Sequence, residues 1–388
     1  MPRLLFLSPT FPDTTGNGLA MRAGMWLEAL SKTYAVTLVV VPLFGDQPPS
    51  SQAFVRAHCA EVMVAEAGAA PPASAAGHDT ALTALAKRYE AGIREAAGSR
   101  HFDVIHCFRL YLAPLALSLA QSGGQLWLDM DDMESSTAAS LSDLYAANGL
   151  HREAEAQARD AGTYAALEAQ LLPAFERVFA GSRIDSGRIA GLTWTHPILV
   201  PNAVRLPARP IEPLTTHPFT FLFAGTLGYY PNQDAVMFFC TKVLPLIRAR
   251  TSAPLRVRIA GAGAPPNLAP LARIEGVRFT GHAEDMAGEY ADAEAVVVPI
   301  RGGGGTRIKV LEAFAYQRPV ISTSAGIEGI EATPGEHFLL ADTPQEFADQ
   351  CVTLMNDTER ASALAQSAYQ LVTESYSQTR INQIVAGL

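Results

Sequence analysis

Residues 301–316 read RGGGGTRIKVLEAFAY, and two cations, Arg307 and Lys309, stand where four glycines meet an amphipathic segment. The apolar spacing predicts a helix beginning near Thr306, with Thr306 as its cap. A helix N-terminus already presents partial positive charge and unpaired N–H groups, so cations beside it are unfavourable until an anion joins them. AVVVPI at 295–300 supplies a strand just before, and the order strand, glycine loop, helix receives a nucleotide phosphate in many folds. Gly302, Gly303, Gly304 and Gly305 would let the backbone approach the ligand closely. Arg307 and Lys309 would neutralise a diphosphate, and Glu312 would accept hydrogen bonds from two ribose hydroxyls. Lys309, Glu312 and Tyr316 fall at i, i+3 and i+7, hence on one face, while Ile308, Leu311 and Ala315 share another. The plainer reading of the same residues is a mobile glycine loop and a Lys309/Glu312 ion pair.

Other chemistry-bearing residues lie in the first half. Thr15, Gly16, Asn17 and Gly18 join the first strand to the first helix, either as a ligand loop or as a tight turn capped by Asn17. His106 ends the strand-like DVIHCF, at the edge of a parallel sheet where ligands bind, and Arg109 is an alternative contact nearby. Asp129, Asp131, Asp132 and Glu134 crowd the end of LWLDM, where carboxylates repel unless ligated or exposed. A divalent metal is one reading; binding of hydroxyls by Asp131 or Asp132 is preferred. Gly261 and Gly263 in RIAGAGAP lack the third glycine of a dinucleotide fingerprint and fit a close strand-to-helix approach.

The elements that must position these residues follow from the apolar pattern. RLLFLSP, VTLVVVPL, AEVMVAE, DVIHCF, QLWLDMDD, RVFAGS and PILVPNAV are apolar on both faces and alternate with helical stretches, the first from about Leu19 to Ser31. Such runs predict a parallel sheet covered by helices on both sides. A Pro-rich stretch, RLPARPIEPLTTHP at 205–218, then reads as a linker. After it come FTFLFAGTL, a helix from about Asp234 to Arg250, LRVRIAGAG, VRFTG, AVVVPI, RPVISTSAG and HFLLAD. The expected organisation is a Rossmann-like domain at 1–205, a linker at 206–218, a second at 219–365, and a closing helix at 366–388 that crosses back to the first.

Composition narrows the partners. With 388 residues, two domains of roughly 150 to 200 residues each are the first expectation. A formal net charge of −9 argues against nucleic acid and allows at most peripheral membrane contact. No apolar run approaches the ~20 residues of a membrane span, and MPRLLFLSPTFP lacks a signal-peptide layout, so a cytoplasmic location is expected. Cys59, Cys107, Cys240 and Cys351 form neither a CxxC pair nor a metal-ligand spacing and read as reduced structural residues.

The glycine-loop segment followed by RPVISTSAGIEGI resembles the signature of retaining nucleotide-sugar glycosyltransferases of the GT-B fold, family 4. FAGTLGYYPN with Thr226, RIAGAGAP, VRFTGHAEDM and AVVVPI match in order and spacing, as do SPTFPDTTGNG, FDVIH, LDMDDMESS, RVFAGSRID and VPNAV in the first half. The resemblance implies two Rossmann-like doubly wound α/β domains facing a central cleft. It implies transfer of a sugar from a UDP- or GDP-linked donor to a saccharide, lipid-linked or small-metabolite acceptor, with retained configuration and neither metal nor resident cofactor. Arg307, Lys309 and a sugar-positioning His106 would be catalytic. Gly16, Asn17, Gly18, Thr226, Gly261, Gly263, Gly303, Gly304, Gly305, Thr306 and Glu312 would bind the donor. Arg109, Asp131 and Asp132 would meet the acceptor. The chain departs from the family where its first paired glutamate would stand, at Gly304, and where many members carry Arg and Lys, in GTLGYYPNQ. An epimerase or hydrolase of the same fold, or a nucleotide-sugar-binding protein without catalysis, are the alternatives.

Overall fold

All thirteen strand-like runs form strands. The computed structural model describes residues 1–44, 49–68, 80–120, 124–194, 196–208, 218–283 and 286–388. The first unit contains β1 (Arg3–Ser8), β2 (Ala35–Val40), β3 (Glu61–Val64), β4 (Val104–Phe108), β5 (Gln125–Asp131), β6 (Arg177–Ala180) and β7 (Ile198–Leu199). They make a parallel sheet of order β3-β2-β1-β4-β5-β6-β7. The second unit contains β8 (Phe219–Ala224), β9 (Leu255–Ala260), β10 (Val277–Gly281), β11 (Ala295–Val298), β12 (Val320–Ser322) and β13 (Leu339–Leu340), ordered β10-β9-β8-β11-β12-β13 and again parallel. Each sheet is buried on both faces, as its continuous apolar strands require; Leu4–Leu7 and Ala295–Val298 are all buried.

In each sheet the strand order reverses once, between β1 and β4 in the first and between β8 and β11 in the second. Loops leaving the strands on either side of such a reversal diverge and open a crevice at the carboxyl edge. Gly16–Gly18 follow β1 and Arg109 follows β4; Thr226 follows β8 and the glycine loop follows β11. The fold therefore delivers these residues to the two positions where a doubly wound sheet binds ligands.

The units are Met1–Asn202 with Ile381–Leu388, and Ala203–Arg380. Of the segment 366–388, expected to close on the first domain, only Ile381–Leu388 lie in that unit. The helix Thr358–Ser375 stays in the second because Leu364, Ala368 and Val372 are buried in its core. The helix expected from Asp234 starts earlier, at Tyr230, with Pro231 in its first turn, where a missing N–H costs nothing. Most of the linker, at 209–217, lies outside the described residues. Among the described residues no helix is long and apolar enough to cross a membrane, and the four cysteines are free thiols.

Candidate functional site

In the second unit the loop after β11 folds around Arg307. Its Nη2 donates to the Gly303 carbonyl at 3.1 Å, and Nη1 donates to the carbonyls of Gly304 and Gly305. Gly303 and Gly305 adopt positive φ, and a Cβ on Gly303 would lie 2.7 Å from the Tyr229 hydroxyl. The helix is Ile308–Ala315, with Arg307 at its N-cap position and no side-chain cap. Thr306, expected as the cap, lies one residue outside, because the first helical N–H contact runs from Val310 to the Arg307 carbonyl. Among the described residues, the buried Thr306 hydroxyl and Arg307 Nε have no partner. Arg307 is thus the staple of the glycine loop rather than one of two free phosphate cations, since carbonyl groups occupy both of its terminal nitrogens.

Lys309 is placed differently. Its Nζ donates to Asn232 Oδ1 at 2.6 Å and lies 4.5 Å from the centre of the Phe223 ring. Among the described residues no carboxylate pairs with it. Burial, and then the nearby Arg307 charge, pull its ammonium down to about 7 against the opposing effect of Glu312. Asn232 donates in turn to the Thr226 carbonyl at 2.8 Å, tying Lys309 to the loop after β8. A side chain at Gly225 would collide with Lys309, its Cβ only 2.5 Å from Nζ. The Lys309/Glu312 ion pair of the plainer reading does not form. Glu312 Oε2 instead accepts the Tyr290 hydroxyl at 3.0 Å, and burial raises this carboxyl to about 7. Tyr316, on the same helical face, stacks on Tyr290.

Gly261 and Gly263 serve a loop-to-loop approach instead of the expected strand-to-helix one. A Cβ on Gly261 would meet the Gly225 carbonyl oxygen at 1.9 Å, and one on Gly263 the Gly228 nitrogen at 3.2 Å. These glycines press the exposed Thr226 turn against the end of β9, fixed further by a 2.7 Å bond from Leu227 N–H to the Ala262 carbonyl.

In the first unit, Gly16 has φ +102 and is exposed, and Asn17 caps the helix Gly18–Leu30 by accepting the Ala20 N–H at 2.9 Å. His106 occupies the centre of β4, not its end, because the strand continues to Phe108. Its ring is fully buried, 4.5 Å from Trp26 and 5.2 Å from Phe6, and among the described residues neither ring nitrogen has a partner. Burial pulls its pKa down to about 4. Nothing of His106 is presented to a sugar, so the positioning role expected for it has no geometry here. The strand-end position belongs to Arg109.

Two arginines relieve the carboxylate crowding. Asp129 accepts Arg22 Nη2 at 2.6 Å and Nε at 2.7 Å, with Trp26 Nε1 also at 2.7 Å. Asp131 lies 3.3 Å from Arg22 and 3.1 Å from Arg109, and also accepts Asn202 Nδ2. Arg109 further pairs with Asp132 and with Glu134, the latter at 2.6 Å. Arg109 and Asp131 hold positive φ values of 80° and 60°, strain of about 1–3 kcal/mol each that this network sustains. Burial lifts Asp131 to about 6 and Glu134 to about 7, with Arg22 the main opposing charge at Asp131 and Arg109 at Glu134. Among the described residues no group of three or more His, Cys, Asp or Glu is arranged to hold a metal ion.

Asn232, Tyr290 and Arg22 were not marked by the sequence reading. Asn232 stood only in the YPN of a loop short of cations, Tyr290 lies 22 positions before Glu312, and Arg22 sits on an otherwise apolar helix.

Residues 218–357 match the family model of the glycosyl transferases group 1. The matched stretch covers β8 to β13 and so contains the glycine loop, Lys309 and Glu312. Solved structures extend the likeness to the whole chain: sucrose-phosphate synthase from Thermosynechococcus elongatus is 14% identical with a TM-score of 0.73, covering 100% of this chain and 98% of that one. HepE of Anabaena in complex with UDP and glucose is 16% identical, TM-score 0.66, covering 100% and 99%. The lipopolysaccharide outer core galactosyltransferase WaaB gives 13% and 0.61, covering 100% and 98%. At these identities the likeness establishes the GT-B fold. An uncharacterized 44.6 kDa protein in the cps region of Klebsiella pneumoniae is 22% identical over 174 residues, which cover 42% of this chain and 44% of that protein's length.

Proposed function

We propose that the protein transfers a sugar from a nucleoside diphosphate sugar to an acceptor that is a saccharide, a lipid-linked molecule or a small metabolite. The observation that carries this reading is Lys309, a cation at the start of a helix behind a glycine loop, whose ammonium contacts a neutral amide and an aromatic face and, among the described residues, pairs with no carboxylate. The unpartnered Thr306 hydroxyl and Arg307 Nε beside it are further donors awaiting an acceptor. UDP is the first donor nucleotide to test, because HepE, which shares the fold, binds it; GDP is the second.

In this reading Lys309 and the helix N-terminus stabilise the departing diphosphate, and Glu312 offers the oxygen not held by Tyr290 to the ribose. With the leaving group neutralised by Lys309 and the helix N-terminus, transfer proceeds without a metal ion. We propose retention of configuration: the leaving phosphate oxygen takes the acceptor's proton on the same face of the sugar, so no buried base such as His106 is needed. A cytoplasmic location, where nucleotide sugars are available, belongs to the same proposal.

Incubation with UDP- and GDP-sugars plus extracted acceptors, followed by nucleoside diphosphate release, tests it. Release that requires acceptor is expected. Release independent of any acceptor would favour the hydrolase or epimerase alternative, and binding without turnover the non-catalytic one.

A further inference from the structure

The helix Met286–Ala291 carries Tyr290 into the second unit's core, where the side chain is fully buried. Its hydroxyl lies 3.0 Å from Glu312 Oε2 and 3.3 Å from the Lys309 carbonyl oxygen. Its ring stacks on Tyr316 with centroids 4.8 Å apart and planes 10° apart, and its own carbonyl accepts Arg318 Nε at 2.6 Å. Tyr290 is therefore immobilised by contacts independent of Glu312. Glu312, by contrast, has one oxygen held and, among the described residues, no protein partner on the other.

We infer that Tyr290 is a positioning residue for nucleoside recognition: its hydroxyl fixes the Glu312 carboxylate so that the free oxygen is offered to a ribose diol. Tyr290 has this role only if Glu312 binds the nucleoside as proposed above. A flexible glutamate would lose rotamer freedom on binding, and a carboxylate already held by a rigid phenol loses less. The groups acting on Glu312 are Tyr290 from the neighbouring helix and Lys309 from its own; both favour the carboxylate, while burial opposes it. The same hydroxyl thus orients the group and favours its ionised form.

Calorimetric titration of the full chain with UDP, GDP and pyrophosphate, from pH 6 to 9, separates the possibilities. Tyr290→Phe keeps the ring stack and deletes one oxygen. For the nucleotide that the unmodified chain binds, affinity should fall about fivefold to tenfold at pH 7. Part of that loss should return at pH 9, where Glu312 ionises without help, because deleting the donor raises its pKa further. Pyrophosphate affinity should not change, which also reports an intact phosphate site. Unchanged nucleotide affinity and pH profile in Tyr290→Phe, or equal losses for nucleotide and pyrophosphate, while Glu312→Gln weakens nucleotide binding, would overturn the role of Tyr290 alone. Full nucleotide affinity in Glu312→Gln, or no binding of UDP or GDP by the unmodified chain, would overturn the donor reading beneath it.

Discussion

Arg22, buried, and Arg109, partly buried, in the first unit and Lys309, partly buried, in the second are all cations beside the carboxyl ends of parallel strands, yet their surroundings are opposite. The two arginines are enclosed by Asp129, Asp131, Asp132 and Glu134, and each carboxylate finds an N–H donor within the unit. Lys309 has an amide oxygen and a phenyl face, and its ammonium is pulled down to about 7. Buried charge in a folded chain is either compensated internally or left to a ligand. The first arrangement is a framework that holds two strained residues at strand ends. The second leaves Lys309, among the described residues, without a carboxylate, which is why the proposed function rests on it.

The contrast yields experiments in descending order of effect. Arg22→Ala leaves fully buried Asp129 without its cation and should destabilise the first unit by about 3–5 kcal/mol, read from urea unfolding. Nucleotide affinity of the chain that remains folded should be unchanged; a selective loss of nucleotide binding would blur the distinction between framework and site.

Lys309→Ala should remove about 2–4 kcal/mol of transition-state stabilisation, measured as kcat/KM for the donor, with little change in unfolding free energy. Because a bound diphosphate favours the ammonium, the unmodified chain's advantage in affinity should be full below pH 7. It should then decline as pH rises through about 7, by up to about tenfold per unit, until the bound-state pKa is reached. A ratio of affinities independent of pH would remove Lys309 from contact with the diphosphate.

Asn232→Asp converts the second arrangement into the first by giving Lys309 an internal carboxylate. Diphosphate affinity should fall about tenfold, while the lysine's pKa rises and the unliganded unit gains stability. Stronger diphosphate binding in this variant would show that the absence of a carboxylate at Lys309 is not what makes the site.

Much of the fold was legible in the chain because a strand buried on both faces must be apolar throughout, and RLLFLS or AVVV admits little else. The glycine loop was legible for a related reason: cations at a helix start are unfavourable beside unpaired N–H groups, so four glycines running into Arg307 and Lys309 point to an anion site. Local patterns failed where a side chain's partner is distant. Arg307 and Lys309 look alike in sequence, and only the backbone path of Gly303–Gly305 decides that one folds the loop and the other stays available. His106 reads as a ligand at a strand end, but the strand continues past it and encloses it among Trp26, Phe6 and Phe179.

By itself, then, the sequence determined two parallel α/β sheets, a glycine loop running into a helix, and one helical face bearing Lys309, Glu312 and Tyr316, since each follows from periodicity and local backbone chemistry. The tertiary structure alone decided which charges are compensated. Asn232 meets Lys309 and Tyr290 meets Glu312 only because β8 and β11 are neighbours in the sheet and the helices that accompany them pack beside it. Compensation depends on distance in space, and in a doubly wound sheet that distance is set by strand order, not by separation along the chain.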